Sequence, residues 1–568
     1  MKKIFLILSV AFCLSSCNEF LETESYTTLN SGNFPATADD VQDLITGAYS
    51  AQTSYINNTI KSHPYFVAET ASDERLGGAG VSDWSTQCLD KLMISTVDDH
   101  SAFWSNRYKG VYRANMVIES IDDCTGFTDE AEKNHMLGEA YFLRALFYWE
   151  LAQLFENIPM PTYTTDYDLT QVSVDELYAQ IGTDFVNAIE LLERKQFDVN
   201  YSEMATVWAA EGYLARVFLF YTGFYGKSSM PLNDGGSLTS SQMGDYLTDC
   251  INNSGHGLVS DFRNLWAYSN EYTGAYWDYS KENDLKWEGD NNKEIIYTYK
   301  FGIKGGSSTS YRNFFTIWQG FPTLLGISYL YPYGHGWAMG SVCPDIVETW
   351  EREEPNDIRR DGSIISIADE IPAYSDGYAG FDSWEETMYR AKKFMPITSY
   401  SSDGSTLYQT FTYLQYGANN NYLSGQITDF PLMRFADILL MHSEITQSVD
   451  GINQVRTRAG LDPIASYSLD ALQKERRWEL SFEGVRWNDI RRWGIAEELL
   501  DNQIGIAVVN RGADAVMPSD IGGGYSTRYK ATRGFTMIPN CEIELSNGVM
   551  IQNEGWNEGD NYLYTGWS

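Results

Sequence analysis

The chain has 568 residues carrying 77 acidic and 40 basic side chains, a formal charge of −37. Such a surface repels phosphate backbones and anionic headgroups, so nucleic acid is not expected as a partner and electrostatic docking to a membrane is disfavoured, while neutral ligands stay open. The length allows a large core with more than one helical layer.

At the N-terminus, Lys2 and Lys3 precede the apolar run IFLILSVAF, residues 4–12, followed by Cys13, Leu14 and two serines. That is the order of a secretory signal, and it falls short of the roughly 20 apolar residues a membrane-spanning helix needs. Leu14-Ser15-Ser16-Cys17 resembles a bacterial lipobox. The resemblance implies a signal peptide over 1–16 and an acylated Cys17 carrying diacylglycerol and an N-linked acyl chain such as palmitate. The alternative is an ordinary cleaved signal with a cysteine there by chance. Each buried methylene contributes roughly 0.8 kcal/mol, so several chains would hold the protein firmly to a bilayer. Loss of residues 1–16, which hold two lysines and no acid, takes the charge to −39. Glu19, Glu22 and Glu24 resemble the acidic export tag of some surface lipoproteins. Residues 17–35 read as a lipidated tether lifting the body off the membrane.

Helical pattern begins near residue 36. TADDVQDLITGAYSAQTSY has Thr37 as an N-cap candidate, with acids in the first turn. Within 135–155, Met136, Ala140, Leu143, Phe147, Leu151 and Leu154 form one apolar stripe, and Pro159 and Pro161 lie just beyond. Another helix follows Ser173, with Glu176 placed to complete a capping box. Residues 202–221 carry Ala205, Ala209, Gly212 and Ala215 in a row, small enough to let another helix approach closely. Paired helices of this kind predict stacked hairpins of the tetratricopeptide type, although no clean repeat of about 34 residues is present.

From about 222 to 424, Gly, Ser, Asn, Tyr and Trp dominate, which predicts loops, short strands and occasional short helices. Aromatics make up 14% of the chain, with 39 Tyr and 16 Trp, and many stand in these polar surroundings. Helical pattern returns at FPLMRFADILLMHSEI, GINQVRTRAGL and LDALQKERRWELSFEGVRWNDIRRWGIAEELL, and the final 65 or so residues look irregular. Beyond Cys13 and Cys17, the cysteines are Cys88, Cys124, Cys250, Cys343 and Cys541. They are odd in number, far apart and free of CxxC pairs, so neither a disulfide framework nor a zinc knuckle is expected, though one incidental disulfide stays open.

CNEFLE from Cys17, GEAYFLRALFYWELAQLF, PLMRFADILLMHSEI, INQVRTRAGL, ERRWELSFEGVRWNDIRRWG and IPNCEIELSNGVMIQNEGW, in this order, resemble the SusD/RagB family of outer-membrane nutrient-binding lipoproteins. Ile445-Thr446 and Glu554 depart from the usual pattern without touching the fold. The resemblance implies a mainly α fold, with four tetratricopeptide-like helical pairs as a scaffold and long irregular loops and short strands inserted. It places an N-terminal helical part at 36–230 and a C-terminal part with ligand-binding loops at 231–568, forming one compact body. It implies a non-catalytic, lipid-anchored cell-surface protein of the outer membrane that binds oligosaccharide and passes it to a SusC-like TonB-dependent transporter. The alternative is a peptide-binding or purely structural lid on such a transporter.

In ERRWELSFEGVRW, a catalytic reading would pair Glu475 or Glu479 with Glu483. The plainer reading is a helix whose Glu475, Arg476, Glu479 and Glu483 share one face and pair with Arg486 and Arg492. The six histidines are scattered, without HExxH, and GxSxG, a P-loop and a helix-opening GxGxxG are absent. Two carboxylates that meet only in space would still suffice for a glycosidase. No cofactor is expected. DDH at 98–100 and ENDLKWEGDNN at 282–292 offer oxygen ligands for calcium without EF-hand spacing, and read more plainly as solvated acidic loops.

The aromatic loops carry the functional expectation. A sugar ring has an apolar C–H face on which indole and phenol rings can stack, and a hydroxyl rim for polar partners. GVSDWSTQ, LWAYSNEYTGAYWDYS and NFFTIWQGFPTLLGISYLYPYGHGW supply the rings. The candidates are Trp84, Trp266, Tyr276, Trp277, Trp318 and Trp337, with Asn106 and Arg312 as polar partners. For any single ring, packing of loop against body is the alternative.

Overall fold

In a computed structural model, the described residues are 34–53, 62–200, 205–302, 312–322, 326–376, 382–557, 559 and 561–567. The signal peptide, Cys17 and nearly all of the tether lie outside them. Helix α1 (Ala38–Thr53) opens as its sequence suggests: Thr37 Oγ1 accepts from Asp40 N–H, and the Asp40 carboxylate accepts from the N–H groups of Ala36 and Thr37. Helix α2 (Ser101–Ser120) follows, then α3 (Glu130–Phe155). The last of these begins at Glu130 rather than 135, because Asp129 caps it by accepting from Glu132 N–H and two acids sit in the first turn.

From Met136 onward nearly every residue of α3 is buried, so it is a central helix rather than one with a single apolar stripe. Its internal charges are paired accordingly. Arg144 meets Asp184 at 2.7 Å, and Glu150 meets Arg107 at 2.5 Å. Gly110 on α2 lies flat against the Phe147 ring, where any Cβ would clash.

Helix α4 (Val174–Leu191) has the capping box in full, with Ser173 and Glu176 each accepting from the other's backbone N–H. Helix α5 (Val207–Tyr225) is capped by Thr206 and closed by left-handed Gly226, and α6 (Ser240–Asn253) repeats a capping box with Thr239 and Gln242. A long excursion follows before α7 (Phe435–Thr446) and α8 (Asp450–Arg458). Each helix from α1 to α8 packs on the next, which makes four stacked pairs, with α6 receiving α7 across the excursion. Helix α9 (Leu469–Leu480) then packs on α7 and α8.

The excursion is closed at its base by two strands, β1 (Ile295–Tyr299) and β2 (Phe430–Arg434), paired antiparallel with Tyr299 opposite Phe430 and Ile295 opposite Arg434. The small-residue row of α5 faces this clasp as well as a helix: a Cβ at Gly212 would lie 2.7 Å from Ile438 Cδ1 and would also strike Met433. One hydrophobic cluster runs from Val41 to Met550 and joins scaffold to excursion.

Charges are buried under the clasp. Arg434 Nη1 meets Glu294 at 2.5 Å and Glu479 at 2.9 Å, while its Nη2 meets Glu483 at 2.6 Å. Glu479 also pairs with Arg359 at 3.0 Å and with Arg458, and Lys393 meets Glu483 at 2.7 Å. Burial alone would raise the Glu479 carboxyl, but Arg458, Arg434, Arg359 and Lys393 hold it far below the usual range. These pairs correct the expected partners. Arg486 binds Asp73 at 2.8 Å, Arg492 binds Glu444 at 2.5 Å and Asp489 at 2.9 Å, and Glu483 follows the end of α9 instead of sharing its face. The reason is burial: apart from the Arg492–Asp489 contact one turn away, these groups meet acids from distant segments. Cys88, Cys124, Cys250 and Cys343 are buried free thiols, and Cys541 is a half-buried one.

Candidate ligand-binding surface

The loops of the excursion are strung along segment 331–342. On one side it bridges residues 75–78, through Arg75 to Val342 and Gly78 to Met339; on the other it bridges 390–397, through Ser341 to Arg390 and Tyr333 to Ile397. Buried Arg75 fixes this spine, donating to Gly340 O at 2.9 Å, Met339 O at 3.2 Å and Gln319 Oε1 at 3.0 Å. Gly340 has φ +77, and a Cβ there would collide with the Arg75 guanidinium, so glycine is required twice over.

At one end of the spine Trp84 opens a short helix, Trp84–Gln87, after a turn in which Asp83 Oδ2 accepts from Gly80 N–H at 2.9 Å. Trp84 is 43% exposed. Two further tryptophans meet this corner, Trp384 and Trp567, both half-buried, with ring centres 6.3 Å apart. Trp384 N–H donates to Ala79 O at 2.9 Å, Trp567 Nε1 donates to Glu385 Oε1 at 2.8 Å, and Gly566 lies against the Trp84 indole. Neither Trp384 nor Trp567 was expected, although GFDSWEE carries the same signal as GVSDWSTQ, a tryptophan in a polar loop.

At the other end, Tyr276, 37% exposed, packs with Tyr400 at 5.4 Å, and Tyr400 with Tyr331 at 5.0 Å. Tyr276 and Tyr331 are held by donating to Ser402 O and Thr273 O. Half-buried Trp277 is wedged between Tyr279 at 4.9 Å and Tyr333 at 6.0 Å, with the Lys392 ammonium 5.9 Å over its ring. The Tyr279 hydroxyl is pushed up to about 12 by burial, with Arg263 opposing the rise. Between the two ends, the His335 and Tyr422 rings stack at 3.9 Å, and burial lowers the imidazole.

Two expected stacking residues are corrected. Trp266 is 3% exposed and lies beneath the cations of the clasp, with Lys393 5.2 Å and Arg434 5.5 Å from its ring. Trp318 is 6% exposed, set edge-on to Trp337 at 4.8 Å. Both sit in short elements that fold inward, so neither offers an open face. Trp337 is half-buried against Phe314 and Trp318. Asn106 belongs to α2, where its amide donates to Ala102 O at 2.8 Å, and Arg312 is half-buried beside the start of helix Phe314–Gln319.

The acidic stretches are engaged within the protein. Asp99 accepts from Ser95 and Thr96, and Asp98 from Cys541 N–H. Asp290 accepts from Tyr416 and from Asp429 N–H. Among the described residues, no group of three or more His, Cys, Asp or Glu side chains is placed to hold a metal ion.

Stacked helical pairs bearing one long aromatic excursion define a helical-repeat scaffold. Residues 19–219 match the family described as "Starch-binding associating with outer membrane", and 328–556 match the SusD family. The chain belongs to the SusD/RagB family. It is 21% identical over 525 residues to SusD-like protein P38 of Formosa agariphila, covering 87% of this chain and 92% of that protein. Among solved structures it resembles a laminarin-binding SusD-like protein (TM-score 0.66, 21% identity, 92% of this chain and all of that one). It also resembles surface glycan-binding protein A from Bacteroides thetaiotaomicron in complex with laminarihexaose (TM-score 0.68, 18% identity, 91% of this chain and all of that one).

Proposed function

We propose that this protein is a non-catalytic surface lipoprotein, anchored in the outer membrane through Cys17, that binds neutral oligosaccharide on its loop surface and passes it to a SusC-like TonB-dependent transporter. The observation that carries the ligand is the Trp84 corner, where a large apolar ring stays open to water beside two more tryptophans. Neutrality follows from charge. Asp83 and Asp382 flank the corner, while nearby Lys91 is committed to Asp90 at 2.8 Å and Glu385 at 2.7 Å. A uronate or sulfate would meet uncompensated negative charge there. Similar structures include a laminarin-binding protein and one solved with xylogluco-oligosaccharide, which makes these the first ligands to test.

Calorimetry with laminari- and xylogluco-oligosaccharides tests the reading. Trp84→Ala is expected to cost about 1–3 kcal/mol, by analogy with other aromatic stacking contacts, or roughly 5- to 150-fold in affinity, with folding intact. A variant that binds like the parent removes the corner from the site. A parent that binds no neutral glycan overturns the ligand class.

A further inference from the structure

An apolar groove of about 660 Å³ lies on the scaffold. Trp104, Tyr108, Tyr112 and Met116, on successive turns of α2, form one wall, and Leu169 and Leu545 face them. Tyr112 is 49% and Leu545 71% exposed, an unusual concentration of open apolar surface on so acidic a chain. Lys109 and Arg113 also line the groove. Arg113 donates to Gly47 O, and neither cation pairs with an acid among the described residues. The one acid in the lining, Glu542, has its carboxyl pushed up by burial and by Asp98, which reduces its charge there.

Phe34, the first described residue, is itself part of the lining, so the described chain begins at the groove. The preceding segment, NEFLETESYTTLNSGN, combines apolar Phe20, Leu21, Tyr26 and Leu29 with Glu19, Glu22 and Glu24. Its chemistry is the complement of the groove: apolar side chains for the α2 wall, carboxylates for Lys109 and Arg113. We propose that the tether folds back into this groove, with Tyr26 and Leu29 against α2 and Glu22 and Glu24 facing Lys109 and Arg113. The inference rests on the anchored reading for its consequence. Residues 17–33 fully extended would let the body stand about 58 Å from the lipid, whereas docking from residue 22 leaves about 17 Å of leash.

The test places a photo-crosslinking amino acid at Tyr26 in the full mature chain and maps adducts by mass spectrometry. Intramolecular adducts on peptides covering 104–116 and 540–550 are expected. They should fall about five-fold in Lys109→Glu or Leu545→Asp, the change expected from losing a contact worth about 1 kcal/mol. Both side chains are exposed, so folding is retained. Adducts on a second protein, on a second copy or scattered over the body, no adducts, or yields unmoved by both substitutions would overturn the docking. Glycan calorimetry on the same preparations reports separately on the ligand reading.

Discussion

Arg434→Met is the sharpest perturbation of the scaffold. The guanidinium closes β2 and binds Glu294, which precedes β1, and Glu479 and Glu483 at the end of α9, while lying 5.5 Å over Trp266. Methionine keeps much of the apolar stem and removes the charge. Glu479 would keep Arg458 and Arg359, and Glu294 would keep Arg458, but Glu483 would be left with Lys393 alone. Removing one partner of a buried pair costs about 3–5 kcal/mol; because the acids retain other cations, a loss near the lower end, about 3 kcal/mol, is expected. Urea denaturation of the mature protein measures it, with Arg434→Lys recovering only part because one ammonium cannot reach three carboxylates. A loss below about 1 kcal/mol would refute the idea that this cluster secures the base of the excursion.

Trp318→Ala should destabilise by about 3–5 kcal/mol through the cavity left beside Trp337, with glycan affinity of the folded fraction unchanged; calorimetry and denaturation together separate the two effects. Glu211 is buried on α5 beside Arg194, 2.8 Å away, and its carboxyl is pushed up to about 8 by burial, against the pull of Arg194 and with Asp249 adding to the rise. The folded state therefore holds a proton that the unfolded chain releases above its ordinary range. Stability should fall as pH rises from about 4.5 through 8, and Glu211→Gln should flatten that part of the curve in melts at pH 5, 6.5 and 8. An unchanged slope would count against the burial of this proton.

The helices were legible from local signals, such as the cap that Ser173 and Glu176 announce; the Met136–Leu154 row marked α3 as a helix although burial surrounds it rather than following one stripe. Their ends were less so: the first turn of α3 is polar, and only the Asp129 cap defines it. The clasp charges were readable as structural but not by partner, since Arg359 and Glu475 meet only after the chain has folded across a long separation. Ring exposure was the least legible property. Trp84, Trp266 and Trp318 all belong to the chain's aromatic stretches, yet one is open and two are buried, Trp318 among Phe314, Phe315 and Ile317. Local composition does not record which loop lies on top.

The clasp of β1 and β2 has a consequence for how such proteins diversify. Because the two strands hold residues 299 and 430 side by side, loops between them can change length at modest entropic cost without altering the spacing of the repeats. Exchanging residues 300–429 between relatives, with the strand ends kept, should therefore alter the surface around Trp337 and Trp384 while Trp84, Trp567 and the helical stack stay as they are.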